Sequence, residues 1–193
     1  IMNILAIDTT STGLSIALVK NGEMFSYTKE IGKSGHSATL MPSVKAMLDE
    51  HEVDVNDIDV IGVVVGPGSF TGIRIGVSAM TALAFATGAK RIAITAFELI
   101  AYNRRDCIAG VDAGHGNLYL AECQNGKVVK QSFVENGQND GLDAAKIDFQ
   151  PLASVDETLA KVAAIKAQNG DFVSVFEPFY MRKSQAEREK DEV

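Results

Sequence analysis

The 193 residues are 46% hydrophobic and 22% charged, with 18 basic against 25 acidic side chains and a formal net charge of −7. That length supports one large domain or two small ones, with a core burying roughly 70% of the unfolded surface. The acidic balance excludes a stand-alone nucleic-acid binder, which needs a basic face, and two cysteines exclude a disulfide scaffold and fit a reducing compartment.

Ile1 stands ahead of what reads as an initiator Met2, and the opening Ile-Met-Asn-Ile-Leu-Ala-Ile-Asp has no basic segment, so no leader is expected. Gly, Ser, Thr or charge interrupts every apolar stretch before about 18 residues, so no transmembrane helix is expected. A cytoplasmic location is. Met2 to Asp8 predicts a strand ending in the polar turn Asp8-Thr9-Thr10-Ser11-Thr12-Gly13. Leu14 to Val19 and Glu23 to Lys29 read as two further strands joined by the hairpin dipeptide Asn21-Gly22. Leu40, Met41, Val44, Met47 and Leu48 fall at helical spacing within His36–Glu52, and Pro42 sits near the start, where a missing N–H costs little. Val60 to Val65 is a continuous β-branched run, as in a strand buried on both faces. Thr71 to Thr87 predicts a helix closed by Gly88, and Arg91 to Thr95 a short strand.

The second half repeats this opening. Cys107 to Val111 reads as a strand ending in Asp112-Ala113-Gly114-His115-Gly116, followed by strands over Asn117–Cys123 and Lys127–Val134 around a second hairpin dipeptide, Asn125-Gly126. Each half therefore runs strand, Asp turn, strand, Asn-Gly, strand, and such an internal repeat constrains the whole fold. The expected division is an N-terminal lobe over 1–103 and a second lobe over 104–193. A turn-rich stretch follows Glu135. A helix is expected over Val155–Gln168, an extended segment over Phe172–Met181 with Pro178 arguing against a central strand, and a charged tail over Lys183–Val193.

Three features are candidates for function. The Asp8 turn, with Thr9 and Thr10, and its repeat at Asp112 and Gly114 offer carboxylates, hydroxyls and backbone N–H groups suited to phosphate or a metal. A polar hairpin turn with a capping Asp explains the same residues. Gly66-Pro67-Gly68-Ser69-Phe70-Thr71-Gly72-Ile73-Arg74-Ile75-Gly76 joins a buried strand to a helix, with Ser69 or Thr71 as cap. It has neither the Lys of a P-loop nor the dinucleotide glycine spacing. The helix start can attract an anion, with Arg74 in its first turn, or the segment is simply a tight turn. Finally, the helix after it carries no charge between Arg74 and Lys90, and many small residues. With the preceding helix it is expected to form a protein–protein face through His36, Leu40, Met41, Val44, Met47, Gly72, Ile73, Gly76, Met80 and Leu83, rather than two ordinary core helices. Gly76→Arg is expected to abolish partner binding while leaving the fold largely intact. His36, His51 and His115 form no helical metal pair, Cys107 and Cys123 read as buried apolar residues, and Ser69 has no hydrolase context. No catalytic constellation and no metal site is expected.

Ile4-Leu5-Ala6-Ile7-Asp8-Thr9-Thr10 and the string from Val63 to Gly76 resemble the TsaB (YeaZ) family of tRNA threonylcarbamoyladenosine biosynthesis partner proteins. His36-Ser37, Leu40-Met41-Pro42, Val111-Asp112-Ala113, Leu118-Tyr119-Leu120-Ala121 and Pro178-Phe179-Tyr180-Met181-Arg182 resemble its other motifs. The resemblance implies an α/β, duplicated actin-like, hexokinase-like (ASKHA, ribonuclease-H-like) fold with the second lobe shortened. It implies a subunit without catalysis of its own, which binds the transferase TsaD through its N-terminal helices. The ATPase TsaE then joins, and threonylcarbamoyl passes to the adenosine beside the tRNA anticodon. TsaD carries paired histidines on its first long helix, whereas this chain has His36 alone. Implied further are vestigial phosphate turns at Asp8, Thr9, Thr10, Asp112 and Gly114, and a structural, anion-capable turn at Gly66, Gly68, Ser69, Thr71 and Arg74. No cofactor is expected in the isolated chain, nucleotide being confined to a partner interface, and tRNA is met only through the complex. No membrane partner is expected, and a homodimer is when TsaD is absent. Two departures stand out: Gly114 where the family carries Arg, and a short stretch over Phe133–Gln150. The alternative is a small-molecule kinase or ATPase of the actin-like superfamily, using Asp8 and Asp112 across a cleft.

Overall fold

Asn21 and Gly22 both sit at positive φ, 52° and 87°, as do Asn125 and Gly126 at 51° and 74°. A two-residue turn of this kind matches the right-handed twist of paired strands, and each closes a hairpin in the computed structural model. The structure describes residues 2–31, 35–104, 106–138, 146–149 and 155–182. The charged tail over 183–193, Ile1 and much of the short stretch before residue 150 lie outside the described residues.

The first half builds a five-stranded sheet from β1 (Ile4–Asp8), β2 (Gly13–Lys20), β3 (Glu23–Glu30), β4 (Val60–Gly66) and β5 (Lys90–Thr95), in the order β3-β2-β1-β4-β5. The first three strands form an antiparallel meander, and β4 and β5 continue in parallel from β1. Every residue of β1 and β4 is buried. Period-two alternation sends Leu5 and Ile7 into one core and Ile4 and Ala6 into the other, so a strand covered on both faces reads as an unbroken apolar run.

Helices α1 (His36–Glu50) and α2 (Phe70–Thr87) cover one face, where Leu40, Val44, Met47, Ile73, Val77 and Met80 pack on Leu5, Ile7, Ile61 and Val63. At 18 residues, α2 is long and apolar enough by length and composition alone to cross a membrane, a test that core helices also pass. Here its buried stripe packs on the sheet. The other face is covered by α4 (Val155–Asn169), whose Leu159, Ala160, Ala163 and Ala167 meet Ile4, Ala6, Ile92 and Ile94. A helix from the second half of the chain thus completes the core of the first sheet.

The second sheet, from β6 (Asp106–Gly114), β7 (Asn117–Gln124), β8 (Lys127–Val134) and β9 (Ile147–Phe149), has the order β8-β7-β6-β9. β6 to β8 are antiparallel and β9 runs parallel to β6, so order and sense repeat β3-β2-β1-β4. This is the duplicated α/β, ribonuclease-H-like topology of the actin-like fold. Among the described residues the second sheet has no counterpart of β5. Between the sheets lies α3 (Ala96–Ala101), a helix not expected from the sequence, whose Phe97, Ile100 and Ala101 pack on Ala109, Ala121 and Cys123. The extended segment after α4 runs back along the first sheet, where Val173 bridges to Arg91 and the Phe179 amide donates to Val65 of β4.

Candidate functional site

β1 ends at Asp8 because the apolar run gives way to residues that bond their own turn. Asp8 Oδ1 accepts from the Thr10 amide at 2.8 Å and the Thr10 hydroxyl at 2.7 Å. Asp8, Thr9 and Thr10 are all buried. Burial pushes the Asp8 carboxyl above its ordinary range, against the pull of the Thr10 amide, the Thr10 hydroxyl and the nearby His36. His36 opens α1 and is itself buried, with Nε2 donating to the Gly13 carbonyl oxygen at 3.1 Å.

The repeat at Asp112 reproduces the local bond and not its surroundings. Asp112 Oδ1 accepts from the Gly114 amide at 2.8 Å, the same spacing of two residues as at Asp8. Asp112 is exposed, and a side chain added at Gly114 would meet open space. The turn is closed by Asn117, which donates to the Gly114 carbonyl oxygen at 2.8 Å and accepts from the Asn136 amide at 2.9 Å. Among the described residues no group of three or more His, Cys, Asp or Glu is placed to hold a metal.

The glycine string lies directly over the Asp8 turn. The Ser69 amide donates to the Thr10 carbonyl oxygen at 2.7 Å, and the Thr9 hydroxyl donates to the Gly72 carbonyl oxygen at 2.8 Å. A Cβ at Gly72 would overlap the Thr9 carbonyl oxygen, and one at Gly76 the Thr9 hydroxyl. These glycines admit the end of β1 of the same chain, not a helix of a partner, which corrects their assignment to an interface. Gly76→Arg would break this contact, so its expected selectivity for partner binding is withdrawn. Ser69 is the cap, accepting from the Gly72 amide at 3.2 Å, while Thr71 is exposed and Gly68 packs on Thr10. Gly66 faces the Phe179 carbonyl oxygen, and the Phe179 amide donates to the Val65 carbonyl oxygen at 2.8 Å.

Arg74 does not face an open helix start. Its Nε donates to the Tyr180 hydroxyl at 3.2 Å, and its guanidinium lies 4.0 Å from the centre of the Phe70 ring. Phe70 and Tyr180 are 4.8 Å apart, so the segment after Pro178 is clasped to the first turn of α2.

The expected protein–protein face divides in two. Leu40, Val44, Met47, Ile73 and Met80, with Gly72, Gly76 and His36, point into the chain's own core, because the helical period that makes them apolar also turns them to the sheet. Met41 is 42% exposed and Leu83 half-buried. The outer face of α2 presents Ser78, Thr81, Ala82, Phe85 and Ala86, and Phe85 is 84% exposed. Phe85 escaped the sequence reading, although its position off the Ile73–Met80–Ala84 stripe is the signal that would have found it.

The family model described as "TsaD: tRNA N6-adenosine threonylcarbamoyltransferase" matches residues 29–174, more than half of the chain. The chain is 35% identical over 131 residues to "tRNA threonylcarbamoyladenosine biosynthesis protein TsaB" of Bacillus subtilis (strain 168), covering 65% of this chain and 57% of that one. With the protein of the same description from Escherichia coli (strain K12) it shares 32% over 129 residues, 64% of this chain and 55% of that one. The match thus spans little more than half the length of these curated relatives. "YeaZ from Pseudomonas aeruginosa" superposes with a TM-score of 0.75 at 23% identity, covering 94% of this chain and 100% of that one. A second structure, described as "an uncharacterized protein with similarity to peptidase YEAZ from Pseudomonas aeruginosa", gives 0.76 at 25% identity, with the same coverage. Sequence motifs, topology and these likenesses agree: the chain belongs to the family of the TsaD threonylcarbamoyltransferase model, on its TsaB (YeaZ) branch.

Proposed function

We propose that the chain is a non-catalytic subunit of the machinery that makes tRNA threonylcarbamoyladenosine, and that it docks on TsaD through the outer face of α1 and α2. The observation that carries this reading is Phe85, 84% exposed on α2 among the exposed Ser78, Thr81, Ala82 and Ala86, with Met41 at 42% on α1, whose outer face also carries the Lys45–Asp49 ion pair. Burying one such aromatic contributes about 1.5–3 kcal/mol, and small neighbours let a partner helix approach closely. A face of this kind favours whichever partner conformation buries it, which is how a subunit without chemistry activates an enzyme. TsaE joins the pair, nucleotide sits only at a partner interface, tRNA is met through the complex, and the assembly is cytoplasmic. Without TsaD the same face closes on a second copy.

The kinase or ATPase alternative draws on Asp8 and Asp112. Against it stand the burial of Asp8 and the engagement of its Oδ1 by Thr10. Heat on titrating the isolated chain with magnesium and ATP would favour that alternative. The direct test reconstitutes tRNA modification from TsaD, TsaE and the threonylcarbamoyl donor, with and without this chain. Modification should require it, and undiminished product in its absence overturns the reading.

A further inference from the structure

Cys107 on β6 and Cys123 on β7 are register partners in an antiparallel pair, so their side chains leave the sheet on one face. Directly opposed Cα atoms in such a pair lie about 4.5–5.5 Å apart, within the span a disulfide bridges. Both thiols are free. Burial, then the hydrogen-bonded Cys123 thiol beside it, pushes the Cys107 thiol up to about 11. Asp148 on β9 adds to this shift and Arg104, before β6, opposes it; those two form an ion pair. Cys123 is 3% exposed and packs under α3 with Phe97, Ile100 and Ala101, whereas Cys107 is half-buried at the edge of that core.

We propose that Cys107 and Cys123 form a reversible dithiol–disulfide site, closed by a low-molecular-weight disulfide that enters at Cys107. The Cys107 thiolate attacks one sulfur of the small disulfide, forms a mixed disulfide and expels the first small thiolate. Cys123 Sγ then attacks Cys107 Sγ and expels the second. The protein loses two electrons and two protons, and the small disulfide is reduced to two thiols. The first step is slow at neutral pH because little of Cys107 is thiolate. The second is fast because its nucleophile already stands opposite. The product staples β6 to β7 at two residues that already pair.

The test uses the full chain with oxidised glutathione as probe, quenched by alkylation in denaturant. The free thiols should fall from two to none, with an intact mass lower by two hydrogens, a linked pair of peptides carrying Cys107 and Cys123, and recovery of both thiols in dithiothreitol. Cys123→Ser should accumulate one glutathione on Cys107, and Cys107→Ser should stay unmodified. A stable glutathione adduct on Cys107 of the unaltered chain, or two thiols still free after prolonged exposure, overturns the proposal.

Discussion

The Thr9 hydroxyl donates to the Gly72 carbonyl oxygen at 2.8 Å across 63 positions of sequence, and the Gly72 Cα rests against the Thr9 carbonyl group in return. The end of β1 and the start of α2 are thereby one rigid piece. The space above the Asp8 turn, where the sequence suggested room for phosphate, is filled by the chain's own backbone.

Gly72→Ala should therefore cost about 3 kcal/mol, the upper range for overpacking a closed site. Thr9→Val, which keeps the volume and removes the hydroxyl that donates to the Gly72 carbonyl oxygen, should cost about 0.5–1.5 kcal/mol. Denaturant midpoints measure both, and an unchanged midpoint for Gly72→Ala would refute the packing described.

Asp8 predicts a specific dependence on pH. Its folded pKa lies above the ordinary 3.8 because burial penalises the charged form. The stability tied to its protonated form is complete below the unfolded value and is lost as pH rises through the folded one. Asp8→Asn keeps an acceptor for the Thr10 amide and removes the titration. Its stability should fall less than that of the unaltered chain between acid and neutral pH, read from denaturation at a series of pH values. Parallel curves would contradict this.

Glu98 ties α3 to α4. Its Oε2 accepts from the Thr95 amide at 2.6 Å and its Oε1 from Lys166 Nζ at 2.6 Å, while Thr95 Oγ1 accepts from the Glu98 amide at 3.1 Å. Glu98→Ala loses its side-chain half of the capping box and the ion pair, keeping only the amide bond to Thr95 Oγ1, and should cost about 2 kcal/mol. Glu98→Gln keeps an acceptor for the cap and should cost about half of that. Equal losses for the two variants would show that the cap contributes nothing.

Much of the fold was legible because its signals are local and repeated. Two Asn-Gly turns fixed two hairpins, and the β-branched run at Val60 marked a strand covered on both faces. Gly88, at φ 73°, ended α2 where expected. What was missed depends on tertiary context. Helix α3 has six residues, with all but Glu98 buried, so it shows no amphipathic period, although Thr95 and Glu98 carried the capping-box spacing. β9 has three residues and takes its identity from pairing with β6. At the candidate site the residue types were right and their direction was not. Small and apolar positions on α1 and α2 were assigned to a partner, but Gly72 and Gly76 admit Thr9, and Leu40, Val44 and Met80 serve the sheet. Spacing gives the period of a helix, and only packing says which stripe faces inward.

The central claim is that the outer face of α1 and α2 docks on TsaD, and Phe85→Asp tests it most directly. Phe85 is 84% exposed, so the substitution should leave the melting temperature of the isolated chain unchanged, as surface changes do. Titration calorimetry against TsaD should show affinity reduced at least tenfold, the equivalent of about 1.4 kcal/mol. Binding as tight as that of the unaltered chain would contradict the account.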